Sequence, residues 1–179
     1  MKVLVFVKAT PNSEKGIPAP DEQLQKMFND MGKFNEQLVA AGIMQDADGL
    51  KPSSFGKRLK FTDGNVTVID GPFAETKELV AGYWVWTVKS MDEAVEWAKR
   101  CPNPMPGEEG VLELRPTYGM EEFDELATPE IRERNERLGK AMERQKKAKA
   151  KAKAKPAPAR KKAGPARAKS KPAGTRRKK

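Results

Sequence analysis

Lys2-Val3-Leu4-Val5-Phe6-Val7-Lys8 opens the chain, and Asp21–Gly42 follows it with Leu24, Met27, Phe28, Met31, Phe34, Leu38 and Ala41 at three- and four-residue steps. Five β-compatible apolar residues in a row predict a central strand buried on both faces. The spacing in the second stretch puts its apolar side chains on one face of a helix. Asp21, after Pro20, suits the N-cap, and Gly42 suits the left-handed residue that ends a helix. Between strand and helix lies a polar, Pro-rich loop that includes Thr10, Asn12, Ser13 and Gly16. The chain therefore begins as a β-α unit, and the rest of the body must complete a sheet around that strand.

Working outward, Arg58–Thr62 and Val66–Asp70 read as strands joined by Asp63-Gly64-Asn65, whose residues accept positive φ at low cost. Asp70-Gly71-Pro72 stops the second strand. Gly82–Val88 is rich in aromatic and β-branched residues and reads as another strand. Met91–Arg100 reads as a short helix, with Ser90 as N-cap and Glu93 at the capping-box spacing. Pro102–Pro106 breaks the chain, and Val111–Arg115 reads as the last strand. This order predicts an α+β fold, a ferredoxin-like sheet with both helices on one face. One strand exceeds the βαββαβ plan, as an extension of the hairpin or an edge. The sheet face without helices needs cover, and a second subunit is expected there. The expected interface draws on Val3, Val5, Val7, Val66, Val68, Trp84 and Trp86, according to which face each strand turns outward.

Charge divides the chain more sharply than hydropathy does. Arg144–Lys179 holds 17 Lys or Arg and no Asp or Glu, so the remainder carries 18 basic and 25 acidic residues, a balance of −7 against a total of +10. Lys146–Lys155 nearly alternates Lys and Ala, and Pro156, Pro158, Pro165 and Pro172 interrupt any helix beyond it. With almost no large apolar side chain, this segment is expected to be disordered when free. Thr128, Pro129 and Glu130 mark a helix start, and Ile131, Leu138, Ala141 and Met142 form only a thin stripe behind it. The expected organisation is a body over residues 1–125, a helical extension over 126–150 and a disordered basic tail over 151–179.

Other features exclude whole classes of chemistry. The chain has no histidine and one cysteine, Cys101. That rules out Ser-His-Asp and Cys-His catalysis and a Cys/His zinc site. No cofactor and no metal are assigned. No apolar run approaches the roughly 18 residues of a membrane span, so the expectation is a soluble cytoplasmic protein, nucleoid-associated through its tail, with no membrane partner.

The run Asp70-Gly71-Pro72-Phe73-Ala74-Glu75-Thr76-Lys77-Glu78, followed by Gly82-Tyr83-Trp84, resembles the signature of the DGPF group within the YCII-related family. Leu50-Lys51-Pro52 before the hairpin agrees, and the resemblance covers residues 1–118. It implies a ferredoxin-like fold that dimerises into an α+β barrel, with an enclosed cleft near the signature. A His-Asp mechanism proposed for some YCII-related proteins does not carry over to a chain without histidine. Members of the DGPF group are associated with sigma factors of the extracytoplasmic-function class, which implies transcription machinery as a partner. The tail is similar in composition to the Lys/Ala/Pro-rich tails of linker-histone-like bacterial proteins.

The candidate site residues follow from both readings. Asp70 is the candidate acid/base, and Asp70, Glu75, Lys77, Glu78 and Tyr83 are candidate ligand-binding residues; the plain alternative is a turn and a solvated loop. Tyr83, Trp84, Trp86 and Trp97 read as core and dimer contacts rather than as a ligand cage. Cys101 reads as structural. In the tail, Lys146, Lys147, Lys149, Lys151, Lys153, Lys155, Arg160, Lys161, Lys162, Arg167, Lys169, Lys171, Arg176, Arg177, Lys178 and Lys179 are candidate contacts to DNA or another polyanion, since a cationic chain displaces condensed counterions from a duplex. The leading function is a homodimeric, small-ligand-binding YCII-related body tethered to DNA by a non-specific tail. The alternatives are a cofactor-independent small-molecule enzyme using Asp70, and a transcription-associated regulatory module.

Overall fold

The computed structural model describes residues 1–74, 78–123 and 127–154, and the chain divides into two compact units, Met1–Asp124 and Glu125–Lys179. In the first unit the elements run β1 (Lys2–Lys8), α1 (Glu22–Ala40), β2 (Met44–Gly49), β3 (Lys57–Thr62), β4 (Asn65–Asp70), β5 (Val80–Thr87), α2 (Met91–Ala98) and β6 (Leu112–Pro116). An antiparallel sheet has the order β2-β5-β1-β6, with β1 in the interior as its apolar run requires. Leaving out β3 and β4, the connectivity is βαββαβ, the ferredoxin-like plan.

Register decides which side chains meet. Val5 lies opposite Trp84 on β5 and Leu114 on β6, and Trp84 lies opposite Ala47 on β2. Because side chains alternate along a strand, Val3, Val5, Val7, Trp84 and Trp86 share one face. Phe34 and Leu38 of α1 and Ala94 of α2 pack on that face in a single buried cluster, so both helices cover the same side. Phe34 stands edge-on to Trp84 and Trp86, with ring centroids 6.5 and 6.3 Å away. Trp84 Nε1 donates to Asn35 Oδ1 at 2.9 Å, whereas the buried Trp86 Nε1 has no partner among the described residues.

The structure corrects several expectations. The β3–β4 hairpin forms a two-stranded sheet of its own, and the fourth strand of the main sheet is β2. Met44-Gln45-Asp46-Ala47-Asp48-Gly49 has little β propensity; its pairing with β5 overrides its composition. β1 is not buried on both faces: Val3, Val5 and Val7 are buried, but Leu4 and Phe6 on the other face are only half-buried. Val3, Val5, Val7, Trp84 and Trp86 belong to the helix-covered core and so cannot line an interface on the open face. The open face carries Leu4, Phe6, Tyr83 and Val85 instead.

Local signals are otherwise well used. Asp21 Oδ1 accepts the Leu24 N–H at 2.7 Å, Gly42 ends the α1 connection with φ 71°, and Asp63 and Gly64 both take positive φ in the hairpin turn. Ser90 Oγ accepts the Glu93 N–H at 3.2 Å. In the second unit, α3 (Pro129–Ala154) starts at Thr128, whose Oγ1 accepts the Ile131 N–H at 3.4 Å. It runs past residue 150, where the alanines between the lysines favour helix. Leu138 and Met142 are exposed there, 55% and 60%. The tail over residues 155–179 lies outside the described residues.

Candidate functional site

The first turns of α1, the Asn12–Pro18 turn, the Gly49–Pro52 loop and the Pro104–Glu108 loop enclose a cleft of about 690 Å³. Ile17, Leu24, Met27, Phe28, Leu50 and Met105 give it an apolar wall; Glu14, Asp21 and Glu108 add carboxylates, and Lys15 and Lys51 add cations. Hydrogen bonds tie these separate loops together. Thr10 and Ser13 exchange bonds, with Thr10 N–H donating to Ser13 Oγ at 2.9 Å and Ser13 N–H to Thr10 Oγ1 at 3.2 Å. Thr10 Oγ1 donates to Glu108 Oε2 at 2.6 Å, which fixes the 104–108 loop. Glu14 Oε2 accepts the Ser53 N–H at 2.9 Å and also the Ser53 hydroxyl. The apolar face of α1 is thus divided: Phe34 and Leu38 fill the core, while Leu24, Met27 and Phe28 line the cleft. A pre-formed concavity of this size, with an apolar wall and a charged rim of Glu14, Lys15, Asp21, Lys51 and Glu108, has the form of a small-molecule site.

The signature residues sit beside this cleft, attached through Ser53. Gly71 N–H donates to Gly56 O at 3.1 Å, and Phe73 N–H donates to Ser53 Oγ at 3.2 Å. A Cβ on Gly71 would fall 1.8 Å from Ser53 O, so glycine is required there by close approach of backbone. The Arg58 guanidinium lies over the Phe73 ring, 4.1 Å from its centroid.

Among the candidate residues, Asp70 is exposed and ion-paired with Lys57, its cross-strand neighbour. The backbone oxygen of Glu78 accepts a bond from Lys8 Nζ at 3.3 Å. Tyr83 stands on the open sheet face, where Asp46, burial and then Asp48 hold its phenol above the ordinary range. None of Asp70, Glu78 and Tyr83 lines the cleft. Glu75 and Lys77 lie outside the described residues. Of the cleft residues, Met27 was read only as part of the apolar face of α1 and Leu50 only as part of the resemblance, and Glu14, Met105 and Glu108 were not singled out by sequence. Their signal was faint: apolar residues such as Ile17 and Leu50 placed in otherwise polar loops.

Cys101 is half-buried, with burial pushing its thiol up to about 11, and it donates to Pro102 O at 3.3 Å. That favours an inert structural thiol. Among the described residues no group of three or more His, Cys, Asp or Glu could hold a metal ion, and no helix is long and apolar enough to cross a membrane. Lys146, Lys147, Lys149, Lys151 and Lys153 fall within α3, where Lys147 pairs with Glu143 at 2.7 Å. The candidate contacts Lys155, Arg160, Lys161, Lys162, Arg167, Lys169, Lys171, Arg176, Arg177, Lys178 and Lys179 lie outside the described residues.

Comparison with known proteins covers the same unit. Over 95 residues the chain is 33% identical to an uncharacterized protein of Rhizobium meliloti (strain 1021), covering 53% of this chain and 76% of that protein. A solved structure of 5-chloro-2-hydroxyhydroquinone dehydrochlorinase from Burkholderia phenoliruptrix AC1100, in complex with 2,5-dihydroxybenzoquinone, is 15% identical and covers 68% of this chain and 98% of its own, with a TM-score of 0.33. The YCII-related domain matches residues 1–121, the whole of the sheet and both of its helices, and the chain therefore belongs to the YCII-related family.

Proposed function

We propose that the body is a homodimeric small-molecule-binding module of the DGPF group, with its ligand in the cleft at the N-terminal end of α1, and that the basic tail tethers it to nucleic acid. The cleft itself carries this reading: about 690 Å³, an apolar wall from Ile17, Leu24, Met27, Phe28, Leu50 and Met105, and a polar rim that includes both carboxylates and lysines. Dimerisation is supported by Leu4, Phe6, Tyr83 and Val85, half-buried side chains on the sheet face opposite the one that α1 and α2 cover. The tether is supported by charge alone, 17 cationic residues without an anion, next to a body at −7. An acid/base role for Asp70 has less support, because its carboxylate is exposed and neutralised by Lys57. The experiment is a small-molecule screen by thermal shift on the full chain and on Met27→Trp, which fills the cleft. Ligands of the cleft raise the melting temperature of the first and not of the second. If every stabilising compound acts equally on both, the cleft is not the binding site.

A further inference from the structure

The charges around the cleft are not equally engaged. By count its lining holds the carboxylates of Glu14, Asp21 and Glu108 against the cations of Lys15 and Lys51. Each carboxylate already receives a hydrogen bond from the chain. Glu14 Oε2 accepts the N–H and the hydroxyl of Ser53, Glu108 Oε2 accepts the Thr10 hydroxyl, and Asp21 Oδ1 accepts the Leu24 N–H. These bonds join loops and cap α1, and hydrogen bonds to a carboxylate stabilise its charge in place. The two lysines have no such counterpart. Lys15 Nζ donates to the neutral Asn12 Oδ1 at 2.8 Å, and Lys51 Nζ lies over the Phe55 ring, 5.3 Å from its centroid. Neither has a carboxylate partner among the described residues.

We infer that the cleft takes an amphiphilic anion, an apolar body ending in a carboxylate, with Lys15 and Lys51 reading the anionic head; this rests on the cleft reading proposed above. The two lysines come from separate segments that the fold lays side by side. Glu14 is bonded to Ser53, and a Cβ on Gly16 would lie 3.9 Å from Pro52 Cγ, so the residues flanking Lys15 meet the residues that follow Lys51. Both backbones are held: Lys15 N–H donates to Asn12 O at 3.0 Å, and Leu50 N–H donates to Ala81 O at 2.7 Å. The cations therefore stand at one part of the rim on fixed main chain. The apolar part of the ligand has its own counterpart. Ile17, Phe28 and Leu50 line the same cleft and are 87%, 58% and 48% exposed, a patch that an apolar body would cover. A cation seated there would face Lys15 and Lys51 without a counter-ion, whereas an anion meets carboxylates that the chain's own donors already satisfy.

The test is titration of the full chain with two sets of probes that share a body and differ in the head. One is decanoate, decanol and decyltrimethylammonium; the other is naphthoate, naphthylmethanol and naphthylmethylammonium. Methyl resonances of Met27 and Met105 report occupation of the cleft. In at least one set the acid should bind about tenfold more tightly than the alcohol, and the ammonium compound most weakly. Lys15→Gln and Lys51→Gln should each reduce that preference by up to about fivefold, the range of an exposed ion pair, and leave the alcohols unchanged. Lys15→Arg and Lys51→Arg should retain it, and added salt should narrow it. Both lysines are exposed, so these variants keep the fold, which the near-ultraviolet dichroism of Trp84 and Trp86 verifies. If acid, alcohol and ammonium bind the cleft alike, or the ammonium binds best, the anion is overturned and the cleft stands as a binding site. If the acid preference survives loss of both lysines, their role is overturned. If no probe moves Met27 or Met105, the cleft reading falls together with the anion.

Discussion

Gly71→Ala tests what the signature does in this fold. The added methyl carbon would sit 1.8 Å from Ser53 O and 2.7 Å from Ser53 C, so main chain must move on one side or the other. Whichever side yields, the Gly71 N–H to Gly56 O bond and the Phe73 N–H to Ser53 Oγ bond are stretched together. Forcing a methyl into occupied space costs about 1–3 kcal/mol. Two weakened hydrogen bonds add about 1 kcal/mol each at most. A loss of roughly 3 kcal/mol is expected, which for a body of this size lowers the melting temperature by about 10 °C. Ser53 also holds Glu14, so ligand affinity in the cleft should fall in the same variant. The assay is thermal unfolding followed by near-ultraviolet dichroism, with binding measured well below the transition. A melting temperature unchanged within about 1 °C would refute the claim that backbone contact, rather than chemistry, demands glycine here.

Gly32→Ala is the matching control: it lies inside α1 with nothing within 4 Å of the added carbon, so thermal unfolding should show a gain of roughly 0.5–1 kcal/mol. Tyr83 should ionise above the ordinary phenol range, and Asp46→Asn should lower its pKa more than Asp48→Asn, as followed by phenolate absorbance. The sign follows from the raised folded-state value: stability is intact below about pH 10, the unfolded phenol's pKa, and is lost as pH rises through the folded one. Affinity of the full chain for unrelated duplexes should fall with salt at a log–log slope of roughly −5 to −9 if about 6–10 tail charges engage phosphates. A chain ending at Glu143 should lose that binding, and equal affinity without the tail would leave it only a solubilising role.

The elements were legible where local chemistry and tertiary packing agree. The lysine-bounded apolar run of β1, the Asp21 cap and apolar periodicity of α1, and the Asp63-Gly64 turn each state their own structure. β2 was not legible, because Asp46, Asp48 and Gly49 have no strand preference, and only pairing with Tyr83–Val85 makes them a strand. The hairpin was legible as a hairpin but not as an appendage, since sequence alternation says which side chains share a face and not what covers them. For the same reason the facing of Val5 and Trp84 could be narrowed to two choices and no further. The cleft was the least legible feature. It is assembled from four separate segments by bonds such as Thr10–Glu108 and Glu14–Ser53, which join residues far apart in the chain. The signature drew attention to Asp70, whereas in the fold its Gly71 and Phe73 serve to seat the neighbouring loop.

The most direct test of the account is methyl NMR of the full chain labelled at methionine, titrated with the compounds that raise its melting temperature. Met27 and Met105 line the cleft, Met105 being only 8% exposed, while Met142 lies in the second unit at 60% exposure. Occupation of the cleft should shift the Met27 and Met105 methyl resonances together and leave Met142 in place. Compounds that bind with Met27 and Met105 unmoved would contradict the account, and the ligand would then have to be sought at the open sheet face or the hairpin base.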